Sequence, residues 1–323
     1  MFDQLWPLAG TAFMGWPVLV WCGLFVLVGG LLAFDLKVLN RTDHAIGFAE
    51  SLATTLLYVA VAAAFGGGVW GFAGAEAGML YFTAFLVEKS LSLDNVFVIS
   101  TIFAAFAVPA KHQHRVLFWG ILGAVVMRGA MIVLGSAMIA RFHWILFAFG
   151  AFLLLSGVKA LLTPPRRPDA GPPRLLAALK RLLPVTAEFH GHAFFARTPG
   201  GRLAATPLLP ALIVVEAADA IFAVDSIPAV LSITGDPFIV LSSNIFAILG
   251  LRALYSVLAV MVGRFVYLRH GLAAVLMFIG AKIFWGELVG PVPAAVSLAV
   301  TVALLGGAVA ASLLRGRLPA FCK

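Results

Sequence analysis

Apolar residues fill this chain in nine blocks: 16–34, 48–70, 78–103, 115–140, 144–162, 208–232, 237–262, 271–289 and 294–314. Each approaches or exceeds the ~20 residues an α-helix needs to cross a bilayer. The pattern therefore predicts about nine transmembrane helices. Turn and breaker residues punctuate it: Gly74 with Gly78, Pro109, the Pro-rich stretch 163–173, Gly235-Asp236-Pro237 and Pro291-Val292-Pro293. The polar interruptions inside the blocks are equally informative. Glu88 and Asp94 break the third block, and Glu216, Asp219 and Asp225 break the sixth. A charge at the bilayer centre costs about 2.5–3.5 kcal/mol on insertion scales, so such residues mark places that bind or move something charged.

Composition agrees with the blocks. The 323 residues are 62% hydrophobic and 11% charged, with mean hydropathy +1.06, where soluble domains carry roughly 25% charged residues. The fold class expected is an all-α polytopic membrane protein. It divides into 1–162 with helices one to five, a cytoplasmic basic loop at 163–207, and 208–323 with helices six to nine. The net charge of +8 does not imply a nucleic-acid partner, because the charges sort by topology. With the N-terminus outside, sixteen of the 22 Lys and Arg fall in inner loops and Arg141 alone in an outer one, the asymmetry of the positive-inside rule. Trp16, Trp70, Trp144 and Trp285 then fall near outer helix ends, as an interfacial belt would. Within the long loop, residues 174–183 form a basic amphipathic stretch, expected to lie on anionic lipid or to dock a soluble partner. The cysteines, Cys22 and Cys322, form no CxxC pattern, which argues against a disulfide or thiolate site. The N-terminus lacks the basic region of a signal peptide.

The two acidic blocks resemble each other. Glu88-Lys-Ser-Leu-Ser-Leu-Asp94 and Asp219-Ala-Ile-Phe-Ala-Val-Asp225 both place carboxylates six residues apart. Ile121-Leu-Gly123 followed by Arg128 matches Ile248-Leu-Gly250 followed by Arg252, and Phe149-Gly-Ala151 matches Ile279-Gly-Ala281. Helices 3–5 thus pair with helices 6–8. A unit of three helices is odd, so the second copy enters from the opposite side: an inverted repeat, whose transport sites lie at midplane between the halves.

Six residues along a helix are about 9 Å of rise and 120° of rotation, so each acid pair flanks one face at two depths. Pro228 frees a backbone carbonyl near Val224, and Asn95 and Asn244 offer amide oxygens. These are oxygen donors, with no mid-span His or Cys beside them; such a set suits Mg, Ca and Mn rather than Zn or Cu. Five acids against Lys89, Arg128 and Arg252 leave two negative charges, enough for one divalent ion or for protons; Lys282 shifts the balance by one. The rival reading is a buried scaffold in which the acids merely pair with those three cations. His112 and His114, in Lys111-His-Gln-His-Arg115, read as a wet cytoplasmic loop. Ser226 beside Asp225 has no histidine partner, and no catalytic residue or cofactor is expected.

These same residues resemble the TerC family of integral membrane proteins. The likeness rests on Glu88-Lys-Ser-Leu-Ser-Leu-Asp-Asn-Val-Phe-Val98, Leu117-Phe-Trp-Gly-Ile-Leu-Gly-Ala124 leading to Met127-Arg-Gly129, Ala205-Thr-Pro-Leu208, Phe222-Ala-Val-Asp-Ser-Ile-Pro-Ala229 and Asn244-Ile-Phe-Ala-Ile-Leu-Gly-Leu-Arg-Ala-Leu-Tyr255. It covers roughly residues 30–290. The family was named for tellurium resistance, and several members are understood as manganese exporters. The resemblance implies a bacterial inner-membrane protein that moves Mn²⁺, with Ca²⁺ as a competing ion, out of the cytoplasm. Glu88, Asp94, Asp219 and Asp225 would be ligands, Glu216 a ligand or proton carrier, and Lys89, Arg128 and Arg252 supporting charges. Two departures stand out: Ala220 follows Asp219, and Ala218 occupies a position where a threonine hydroxyl is commoner. The alternative is a non-transporting subunit of a stress-resistance complex, docking soluble proteins through 163–207.

Overall fold

The computed structural model describes residues 12–35, 48–142, 144–162, 186, 189, 191, 193–197, 203–251, 253–255, 257 and 267–317. The amphipathic stretch 174–183, Arg252 and Cys322 lie outside them, as does the side chain of Asp94. A short hairpin, β1 (Ala12–Phe13) with β2 (Trp16–Pro17), leads into helix α1 (Val18–Phe34). Helices α2 (Phe48–Ala73), α3 (Ala75–Ala105), α4 (Ala110–Arg141) and α5 (Ile145–Leu162) follow. A second hairpin, β3 (Phe195–Arg197) with β4 (Leu203–Ala205), precedes α6 (Leu208–Leu231), α7 (Pro237–Leu249), α8 (Leu268–Leu288) and α9 (Ala294–Arg317).

A helix begins and ends within about a turn of eight of the nine predicted blocks. Among the described residues, five helices are long and apolar enough to cross a membrane: α2, α4, α5, α8 and α9. Helices α3 and α6 have the length but carry the acids, while α1 and α7 are apolar but shorter. Large apolar side chains face outward along the bundle, with Val26 74% and Leu162 78% exposed. Water would penalise such a surface; hydrocarbon does not. The molecule is an all-α integral membrane protein.

The seventh block departs from expectation. Asp236 caps α7 by accepting from the backbone N–H groups of Phe238 and Ile239, with Pro237 at the first helical position. The helix then stops at Leu249 instead of running to 262. The Gly250 N–H turns back to the Ile248 carbonyl, and the helical pattern resumes with Leu254 N–H donating to the Gly250 carbonyl at 3.0 Å.

Helix pairing follows an interleaved plan. The most extensive contact is α5 against α8. These two run antiparallel, because Gly150 lies opposite Gly280 while Gly157 lies opposite Ala273 and Met277. The next two contacts are α4 with α6 and α3 with α7. Both pairs run in the same direction: Gly120 faces Val215 while Gly135 faces Leu231, and Lys89 reaches Ala247 of α7 while Phe103 meets Tyr255 in the helical stretch just after it. The α5–α8 seam depends on missing side chains. A Cβ at Gly280 would stand 2.8 Å from the Gly150 carbonyl oxygen and 3.0 Å from the Leu154 nitrogen. Neither backbone atom can yield cheaply, so Gly280→Ala is expected to cost about 1–3 kcal/mol by overpacking. Thermal unfolding in detergent would show it as a lowered midpoint.

The ends of the bundle are tied down by polar contacts. Trp16 donates its indole N–H to both Asp236 carboxylate oxygens, at 3.0 and 2.8 Å, and stacks on Phe238. It is a strut onto the start of α7, whereas Trp70, Trp144 and Trp285 are exposed as expected of a belt. The β3–β4 segment was not anticipated within the 163–207 loop. It lies beside the start of α4: His112 stacks on Phe189, and the Arg115 guanidinium sits 5.5 Å from the centre of the Phe194 ring. His112 is consequently buried and not the wet loop residue its basic neighbours suggested.

Candidate ion site

The site grows from residues seven apart, which share a helix face. Glu88 and Asn95 lie on one face of α3, and Asp219 and Ser226 on one face of α6. In the sequence repeat these are equivalent positions, Glu88 matching Asp219 and Asn95 matching Ser226. Between the two helices Arg128 enters from α4. It is 1% exposed, the largest fully buried side chain among the described residues. Its Nε and Nη2 donate to the two oxygens of Asp219 at 3.0 and 2.8 Å, a bidentate pair. Its Nη1 donates to Glu88 Oε1 and, at 3.1 Å, to the Ser226 hydroxyl. Asn95 adds an amide donor to Asp219 Oδ1 at 3.3 Å. One guanidinium thus holds the leading acid of each half.

Glu216 lies one turn before Asp219, close enough for their charges to act on each other. Its carboxylate fills the space that a side chain at Gly123 would occupy. The trailing acid of α6 takes another direction, as a 120° rotation requires. Asp225 is half-buried, and the cation that acts on it is Lys159 of α5. Lys89, expected among the acids, sends its ammonium to the Ala247 carbonyl of α7. Among the described residues, no group of three or more His, Cys, Asp or Glu is gathered as a metal cluster. The four acids whose side chains are described therefore form a central pair on Arg128, with Glu216 beside Asp219 and Asp225 set apart near Lys159.

Among the described residues, the buried polar atoms without a hydrogen-bond partner include Glu88 Oε2, Asn95 Oδ1, and both amide atoms of Asn244 on α7. Each such atom costs about 1–3 kcal/mol unless something else satisfies it. Three of the four are oxygens, the donor type of a hard-cation site. Sequence reasoning had already found Glu88, Asn95 and Asn244. It set Ser226 aside as a failed nucleophile, although its match to Asn95 across the repeat was the available signal.

The Integral membrane protein TerC family matches residues 73–318, from the end of α2 into the last residues after α9. The chain belongs to the TerC family. Its similarity to relatives runs almost end to end. An uncharacterized membrane protein of Myxococcus xanthus is 48% identical over 298 residues, covering 92% of this chain and 93% of that one. A membrane protein of Rickettsia bellii is 42% identical over 295 residues, covering 91% and 97%. Alx of Escherichia coli K12, named as a proposed membrane-bound redox modulator, is 44% identical over 301 residues, covering 90% and 93%. No solved structure matches this chain. In this TerC protein the matched region contains every helix that contributes to the site, α3, α4, α6 and α7.

Proposed function

We propose that this TerC protein carries a divalent cation, Mn²⁺ foremost and Ca²⁺ as its competitor, out of the cytoplasm across the bacterial inner membrane. The observation that carries the reading is the Arg128 cluster. It joins the leading acids of the two acidic helices at full burial and leaves Glu88 Oε2 and Asn95 Oδ1 without partners among the described residues. Two unpartnered oxygens beside a fully buried ion pair are what supports an ion path over a closed scaffold. Glu88, Asp219, Asn95 and Asn244 form the centre of the path, with Glu216 as a ligand or proton carrier. Asp94 and Asp225 extend it toward the two ends. Arg128 orients the carboxylates and lowers their mutual repulsion.

Nine spans in an inverted repeat, N-terminus outside and C-terminus cytoplasmic, belong to the same proposal. The helix pairing supports it. A two-fold axis in the membrane plane exchanges α3 with α6, α4 with α7 and α5 with α8. It turns the α3–α7 contact into the α6–α4 contact and maps α5–α8 onto itself. The running directions of all three pairs obey the same exchange.

The test is Mn²⁺ accumulation in inside-out vesicles containing the protein, with and without a pH gradient. Accumulation no faster than in vesicles lacking the protein would refute the proposal. Within that assay Gly123→Ala should lower flux about tenfold or more, because the new methyl displaces Glu216 and a misplaced ligand costs on that scale.

A further inference from the structure

Lys89 sits next to Glu88 in sequence but serves a different helix. Its ammonium donates to the Ala247 carbonyl at 3.0 Å. Ala247 belongs to the last turn of α7, whose final four carbonyls have no donor within the helix. The positive charge therefore meets the negative end of the α7 dipole, where the chain turns at Gly250 before the helical pattern resumes. Gly250 makes the approach possible. A Cβ there would stand 2.8 Å from Lys89 Nζ and 3.3 Å from Tyr58 Cβ of α2, so a methyl group would push the Lys89 ammonium out of its place. This arrangement mirrors Gly123 and Glu216. In each half the glycine of the repeated Ile-Leu-Gly receives a charged side chain from the other half, acidic in one case and basic in the other.

We propose that Lys89 and Gly250 form a clamp that holds the interrupted end of α7 against α3, and that this clamp sets the turnover rate of the carrier and not its grip on the cation. Both act as positioning residues. Consecutive helical residues point about 100° apart, which directs Lys89 to the α7 carbonyl while Glu88 faces Arg128.

The rate readout rests on the transport proposed above, so a second readout independent of transport accompanies it. Full-length wild type, Lys89→Met, Lys89→Arg and Gly250→Ala would be reconstituted and Mn²⁺ flux measured against Mn²⁺ concentration. Amide hydrogen exchange of residues 247–251 would be followed in parallel. Lys89→Met and Gly250→Ala should each lower the maximal rate about tenfold, the size of one lost charge-assisted hydrogen bond. Half-saturation should stay within about twofold of wild type, the mark of an interaction not used in ground-state binding. Both variants should speed exchange at 247–251, and Lys89→Arg should retain most of the rate. An unchanged maximal rate, a raised half-saturation at unchanged rate, or unchanged exchange would each overturn the clamp. If Lys89→Met fails to accumulate in the membrane, Gly250→Ala decides by the same criteria. If wild type carries no Mn²⁺, the transport proposal falls and the exchange comparison alone decides the clamp.

Discussion

Replacing Arg128 with methionine should destabilise the protein by about 3–5 kcal/mol, the usual consequence of stripping the partner from a buried ion. Arg128 is the junction of α3, α4 and α6: it touches Glu88, Asp219 and Ser226 at once and is 1% exposed. Without it, Glu88 at 0% exposure loses the guanidinium that balances its carboxylate. The loss should shrink when the stranded charge is removed as well. Glu88→Gln with Arg128→Met is therefore expected to unfold at a higher temperature in detergent than Arg128→Met alone, because the two residues share one interaction and their effects do not add. If the double variant is the weaker of the two, Glu88 draws its stability from another source and the junction is misassigned.

The second large effect concerns transport. Asp219→Asn should reduce Mn²⁺ flux by about 100-fold or more, exceeding the 10- to 100-fold seen when only an outer-shell partner of a metal ligand is lost. The variant should still fold, since Arg128 keeps Glu88 and Ser226. Asp225→Asn should fall less, by about tenfold, because Asp225 lies apart from Arg128 in the field of Lys159. Vesicle flux of the two variants, normalised to the amount of inserted protein, checks both statements. Wild-type flux through Asp219→Asn would remove the central acid from the path, and equal losses in the two would argue for a ring of acids.

The helices were readable because hydrocarbon imposes a crude rule: about 20 apolar residues, then a breaker. That rule located α1 through α6, α8 and α9 to within about a turn. It missed the interruption at Gly250 inside the seventh block, because the apolar run continues past it and hydropathy does not register a local turn. The site was half readable. Burial cost singled out the acids, and the repeat paired Glu88 with Asp219. The spacing of six also turns Asp94 and Asp225 120° away from the leading acids along their helices. Gly123 and Gly250 stood out as repeated letters, but a glycine does not announce which side chain will fill the space it leaves. Only the packing of α4 on α6 and α3 on α7 shows Glu216 and Lys89 in those spaces.

Because α3 leans on α7 and α4 on α6, neither set of three helices covers its own interior. During synthesis the ribosome delivers α3, α4 and α5 first, together with a guanidinium whose second carboxylate is still some ninety residues away. That early intermediate stands half-clothed in the bilayer until the later helices thread among it. Full packing of α3 and α4 is therefore expected only once α6 and α7 have been made.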